Sequence, residues 1–334
     1  ALDAAFSATR GPREIADFVG WGGARQPRTR RWPDHRGRDT LVPLVFAAIA
    51  PHGGIAIAEA CAPEEREVAL KTRAGMEELG RRFGAAAPDI AIVATPHNVH
   101  IANALAVVVA GRLKGRLNGV VPPIELDLAS DIDLAWQLLD SMSDAGLPSA
   151  AVSFGSNDLP TAVAPMDWGV LIPLWFMGGR SEPPVPAVVV TPARELPASD
   201  HITAGAAIAS AAAASQMRVA FIASADHGHA HRADGPYGFH PDAARYDALI
   251  TDLVRTNRLD ALAGIERDFV ERAKADSWWQ MLMLHGATAG WRGELISYEA
   301  PTYFGMLTAV YTPGPSGPSG PSGASRHLPT SGED

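Results

Sequence analysis

Three apolar runs in this chain each stop at a histidine. VFAAIA leads into Pro51-His52-Gly53-Gly54, IAIVAT into Pro96-His97-Asn98-Val99-His100, and VAFIASAD into His227-Gly228-His229-Ala230-His231. Short apolar runs bounded by Gly, Pro and Asn read as strands buried on both faces, the kind found in sheets covered by helices on either side. In such open α/β sheets ligands gather beyond the carboxyl ends of the strands. Parallel strands would therefore deliver the three histidine motifs to one end of one sheet. Chance would scatter the 11 histidines, yet eight fall at positions 52, 97, 100, 227, 229, 231, 240 and 285.

The rest of the chain supports this reading. Strands are expected at 43–50, 89–94, 149–154, 185–191, 217–223, 293–298 and 305–311. Helices are expected at 63–83, 101–109, 132–144, 199–214, 241–256 and 269–284. Alternation of the two implies an α/β fold over 41–312: a single layered domain with a central, mostly parallel or mixed sheet flanked by helices and its site at the carboxyl ends of the strands. Residues 1–40 carry eight of the 25 arginines, follow no helical or strand period, and read as an irregular Arg-rich arm. From Pro313 the repeat GPSGPSGPSG opens a Pro/Ser/Gly segment, 313–334, that reads as a flexible tail.

Charge and composition exclude some classes. A net charge of −9 argues against a broad nucleic-acid surface. No apolar run reaches the ~18–20 residues of a membrane helix, so no membrane contact is expected. The one cysteine, Cys61, has no internal partner, which fits a reducing cytoplasm. GxxxxGK[ST] and a strand-following GxGxxG are both absent, which argues against a nucleotide enzyme.

Clustered histidines after strands suggest a metal or acid/base site. Two neutral imidazoles and one carboxylate on one face leave open positions on a divalent metal, the arrangement non-haem Fe(II) uses to hold an organic chelate and O2 together. Asp276, in ERAKADSWWQMLMLHG, and Glu271 before it are candidate carboxylates, although an Asp there is also a routine helix-start residue. A zinc hydrolase using the same histidines is an alternative, without an HExxH helix or a CxxC pair to support it. A non-enzymatic binding protein on the same fold is another.

Taken in order, IAPHGG, IVATPHNVH, GLPSAAVSFG, MDWGVLIPLWFM and ASADHGHAHRADGPYGFHPDAARYD resemble the class III extradiol ring-cleavage dioxygenases, the superfamily typified by the catalytic β subunit of protocatechuate 4,5-dioxygenase. The resemblance covers about 42–312. It implies Fe(II) as cofactor, with His52 and His97 as ligands and His229 as the catalytic histidine. The family's third ligand is usually Glu. Here the matching region, before Gly286-Ala287, offers Asp276, with Glu271 as the fallback. Asp167-Trp168-Gly169 stands where many relatives have Asp-His-Gly. Trp168, Asp167, His100, His227 and Tyr237 are the candidate pocket residues. The implied reaction is ring cleavage of a catecholic or 2-aminophenolic aromatic with O2, in a homo-oligomer or a hetero-oligomer with a small subunit.

Overall fold

The computed structural model describes residues 44–118 and 123–313. The Arg-rich arm, and the tail beyond its first residue, lie outside the described residues. In chain order the elements are β1 (Leu44–Ala50), α1 (Leu70–Ala86), β2 (Ile90–Ala94), β3 (Leu105–Val108), β4 (Arg112–Leu117), β5 (Ile124–Ala129), α2 (Ile132–Asp144), β6 (Ser149–Val152) and β7 (Val163–Pro165). There follow α3 (Trp168–Phe176), β8 (Ala187–Thr191), α4 (Ala198–Ala214), β9 (Val219–Ser224), α5 (Pro241–Arg255), α6 (Arg267–Ala273), α7 (Trp278–Ala287), β10 (Arg292–Glu299) and β11 (Met306–Thr312).

Eight strands form one mixed sheet in the order β10-β11-β1-β9-β2-β8-β3-β6. Its centre, β1-β9-β2-β8, is parallel. β11 and β3 run antiparallel to that block. Every residue of β2, β8 and β9 is buried, because both sheet faces are covered. Successive side chains point to opposite faces. Ile90, Ile92 and Ala94 thus join a core with α2, α4 and α7, while Ala91 and Val93 join one with α1 and α3. Each fully buried Ile, Val or Phe contributes about 1.5–3 kcal/mol. Such strands are stable only in the middle of the sheet.

The order of the central strands follows from two crossovers. From β1 the chain passes over one face through α1 to β2, leaving a gap of one strand. From β8 it passes through α4, on the other face, back to β9, which fills that gap. Opposite directions on opposite faces are what a common right-handed crossover requires. The result is one α/β domain with His52, His97 and the 226–231 loop at one end of adjacent strands.

Four sequence expectations change. The helix expected at 101–109 does not form: 101–104 make a turn, and Leu105–Val108 is a strand, buried at every position and paired with β6 and β8. A short apolar run does not declare its period. The helix expected at 269–284 is two, since Lys274 adopts a left-handed conformation (φ 56°) and closes α6. The first helix starts at Leu70, after a 3-10 turn at Pro63–Glu65. A second sheet, β5-β4-β7, adds to the strands expected from the sequence, and β4 and β5 alternate buried and exposed residues along it. Among the described residues no helix is long and apolar enough to cross a membrane.

Candidate metal centre

His52 follows β1, His97 follows β2, and Asp276 sits in the break between α6 and α7. His52 Nε2 lies 3.2 Å from His97 Nε2. Asp276 Oδ2 lies 3.5 Å from the first and 3.6 Å from the second. One ligand atom from each of the three residues thus falls within 4.8 Å of the others, and together they could hold a metal ion. His52 and Asp276 are buried and His97 partly so.

The surroundings fix which nitrogen of His52 faces this point. Ser224 Oγ donates to the Gly169 carbonyl at 2.5 Å, and His52 Nδ1 lies 2.9 Å from the same hydroxyl. With its proton committed, Ser224 accepts from His52 Nδ1–H, which leaves the Nε2 lone pair directed at His97 and Asp276. A metal-ligating histidine needs this kind of support on its other nitrogen. Two imidazole nitrogens and a carboxylate oxygen at these separations require a proton or a cation among them. The donor set therefore fits a divalent metal.

Electrostatics in the metal-free protein agree. Burial pushes the His52 pKa down, but the Asp226 and Asp276 carboxylates outweigh it and hold the imidazole above its usual range. Burial, together with the charge on His52, holds His97 below its usual range. For Asp276 burial acts upward, and His52 more than offsets it, so the carboxyl lies below the ordinary range. Burial raises Asp226.

Asp226, not singled out from the sequence, is buried beside the cluster. Its Oδ1 accepts the His52 backbone N–H at 3.0 Å, and its Oδ2 lies 3.4 Å from His52 Nε2. Its own N–H donates to Asp276 Oδ1 at 3.2 Å. Its signal in the sequence is the acidic last residue of the VAFIASAD run, directly before His227.

A cavity of about 420 Å³ opens on the cluster. His52, His97, Asp276 and His229 all line it, with Trp168, Tyr237 and Phe304 as aromatic walls. The His229 ring stacks on Phe304 at 5.3 Å and 14°, and Tyr237 meets it edge-on at 5.7 Å. Its backbone N–H is tied to the Ala273 carbonyl, which anchors the loop next to Asp276. Trp168, half exposed, lies 4.3 Å from the His97 ring. Phe304 comes from the β10–β11 turn and carried no sequence signal.

The other candidates lie elsewhere. Asp167 is a brace: it accepts from Thr95 Oγ1 at 3.2 Å and Asn98 Nδ2 at 3.0 Å, and so pins the loop that presents His97. Gly169 lets α3 approach this loop, because a Cβ there would meet Thr95, Asp167 and His97. His227 is fully buried and lines no described cavity around the cluster. His100 is not brought to the cavity. A turn at 101–104 follows it instead of a helix, and it lies at the surface, paired with Glu195 at 2.9 Å. Glu271 is exposed and held by Arg267 at 2.9 Å.

Comparison with known proteins follows the same lines. Protein CA_C1420 of Clostridium acetobutylicum is 24% identical over 258 residues, 75% of this chain and 54% of that protein. The chain thus spans about half the length of this relative. The crystal structure of the uncharacterised protein JW3007 from Escherichia coli K12 shares the fold, with a TM-score of 0.53 at 15% identity over 80% of this chain and 99% of that one. The family model described as the catalytic LigB subunit of aromatic ring-opening dioxygenase matches residues 46–310, nearly the whole described α/β domain, and the chain belongs to that family.

Proposed function

We propose that the protein is an Fe(II)-dependent extradiol dioxygenase that opens a catecholic or 2-aminophenolic ring with O2. The observation that carries this reading is the cluster of His52, His97 and Asp276 on one cavity with His229. Two imidazoles and one carboxylate leave further metal positions free, as a chelating substrate and O2 together demand. Fe(II) bound there would supply Lewis acidity toward the adjacent heteroatoms of the ring and electrons toward O2.

The remaining work falls to side chains. Ser224 and Gly169 hold the His52 tautomer. Trp168, Ile172 and Phe304 offer apolar surface to a flat ring and exclude water from it. His229 takes a proton from a ring hydroxyl and later returns one to an oxygen of the opening ring. An imidazole serves both directions near neutrality. Its stacking on Phe304 limits its rotation while it does so.

The test is O2 consumption by anaerobically Fe(II)-loaded protein offered catechols, gallate and 2-aminophenols. One O2 taken up per substrate, with a yellow ring-opened product, is the expected result. Iron bound at one per chain with no uptake on any of them would overturn the reading. Zinc in protein purified with its native metal would favour a hydrolase instead.

A further inference from the structure

The imidazole of His229 is not oriented through its Nδ1. That nitrogen is buried with no hydrogen-bond partner among the described residues, whereas His52, on the same cavity, has Ser224 at its Nδ1. A histidine that moves protons needs a fixed direction, commonly supplied by a group on its second nitrogen. For His229 the direction must come from the backbone on either side and from the Phe304 ring stacked on it.

Both lead back to one side chain on α5. Asp247 is 1% exposed, and its carboxylate accepts three hydrogen bonds. Its Oδ1 accepts the backbone N–H of Gly228, one residue before His229, at 2.7 Å. Its Oδ2 accepts from His231 Nε2, two residues after His229, at 2.8 Å and from the Tyr298 hydroxyl of β10 at 2.7 Å. Gly305 lies against the same oxygen, where a Cβ would collide with it. The Gly305 carbonyl accepts the His227 N–H at 2.9 Å, and the Gly305 N–H donates to the Gly228 carbonyl at 3.1 Å. The Tyr303 carbonyl accepts the His231 N–H at 3.2 Å. Phe304 stands between these two tied residues, so the loop that carries His229 and the turn that carries Phe304 are joined over Asp247.

No Lys or Arg pairs with Asp247 among the described residues; its ion-pair partner is His231. A carboxylate buried without a fixed cation is costly, and a well-packed apolar side chain is often as stable. What the carboxylate adds is geometry, because three donors converging on two oxygens restrict the loop to one arrangement. Asp247 lines neither described cavity on the cluster.

We propose that Asp247 is a positioning residue for His229, fixing the loop on both sides of it and, through Gly305, the ring stacked on it. Its effect on turnover rests on the ring-opening reading; its effect on the His229 ring does not.

The test variant is Asp247→Asn. It keeps the size of the side chain and an acceptor for Gly228, but sets an amide N–H donor against His231 and Tyr298. In Fe(II)-loaded protein kcat should fall about 10- to 100-fold, as expected when a proton-transfer group is misplaced, with KM and metal content unchanged. Tyr298→Phe removes one donor, leaves the carboxylate in place and should lower kcat about two- to fivefold. A second readout needs no turnover: the imidazole NMR resonances of metal-free protein carrying isotope-labelled histidine. In both variants those of His229 should move, and those of His52 and His97 should stay. Wild-type kcat or unmoved His229 resonances in Asp247→Asn, or in Tyr298→Phe where the first does not fold, would overturn the proposal. So would a loss of metal that accounts for the lost turnover. If the wild type opens no ring, the resonances decide alone. A moved His229 then keeps Asp247 as its positioning residue while the ring-opening reading falls, and an unmoved one overturns both.

Discussion

His52 Nδ1 lies 2.9 Å from Ser224 Oγ, and that hydroxyl gives its own proton to the Gly169 carbonyl. The relation joins the ends of β1 and β9 to the first turn of α3, and it decides which histidine nitrogen faces the cluster. Ser224→Ala removes the acceptor for Nδ1–H and frees the tautomer. Metal affinity should fall about 10- to 100-fold, the usual cost of losing such a partner, with the fold retained. Titration against a competing chelator would measure it, and unchanged affinity would refute the tautomer argument.

Asp276 and Glu271 offer a direct contrast. Asp276 is buried with its Oδ2 3.5 Å from His52 Nε2, whereas Glu271 is exposed and bound to Arg267. Asp276→Ala should abolish stoichiometric metal binding, and Glu271→Gln should leave it intact. Metal content after dialysis is the measurement. Loss in the Glu271 variant alone would reassign the third ligand.

His229 lines the cavity without belonging to the ligand cluster. His229→Ala should therefore retain metal and lose turnover by at least about 100-fold, the low end for a general acid–base group. Full activity in that variant would remove it from the mechanism.

Much of this arrangement was legible along the chain. The strands before His52, His97 and Asp226 announce themselves because all their residues but Ser224 are apolar, and a strand buried on both faces admits little else. What lies beyond a strand end is then fixed by the parallel sheet. A helix over 101–109 would carry His100 toward the pocket, but the turn at 101–104 and the strand Leu105–Val108 leave it at the surface. Asp276 reads as a helix-start residue and does stand two positions before α7, but the break at Lys274 that frees it from one long helix depends on a left-handed backbone that a lysine does not signal. Phe304 and Asp247 reach the site through the packing of distant segments. No local pattern marks that.

Two glycines set the distance between α4 and α7. A Cβ at Gly205 would collide with the Met283 carbonyl, and one at Gly286 with the Ile202 carbonyl. Backbone atoms cannot yield as a side chain would, so the helices must separate to admit a methyl group. Gly205→Ala and Gly286→Ala should each destabilise by about 1–3 kcal/mol, against the small gain in helix propensity that alanine brings. Gly84→Ala, in α1 with nothing near its Cβ, is the control and should be neutral or stabilising. Equal melting temperatures for Gly205→Ala and Gly84→Ala would contradict the close approach.

Acid should weaken the link between α1 and the sheet edge. Glu78 accepts from Arg81 at 2.6 Å and Arg82 at 2.7 Å, and Arg82 also binds Glu294 on β10. Hydrogen bonds from Arg81 and Arg82 bring the Glu78 pKa down from 4.5 to about 2. Glu294 is lowered by Arg82 in the same way. A carboxyl depressed on folding contributes stability that is present above its unfolded pKa and lost as pH falls through the folded one. Wild type should therefore lose stability between pH 4.5 and about 2 that Glu78→Gln does not have to lose. Solvent and salt screen these exposed charges, so the gap in melting temperature at neutral pH is small and shrinks as salt rises. It should close as the pH approaches about 2. Thermal melts of both proteins across that range decide the matter: a gap that stays constant with pH would mean the network contributes nothing through its charge.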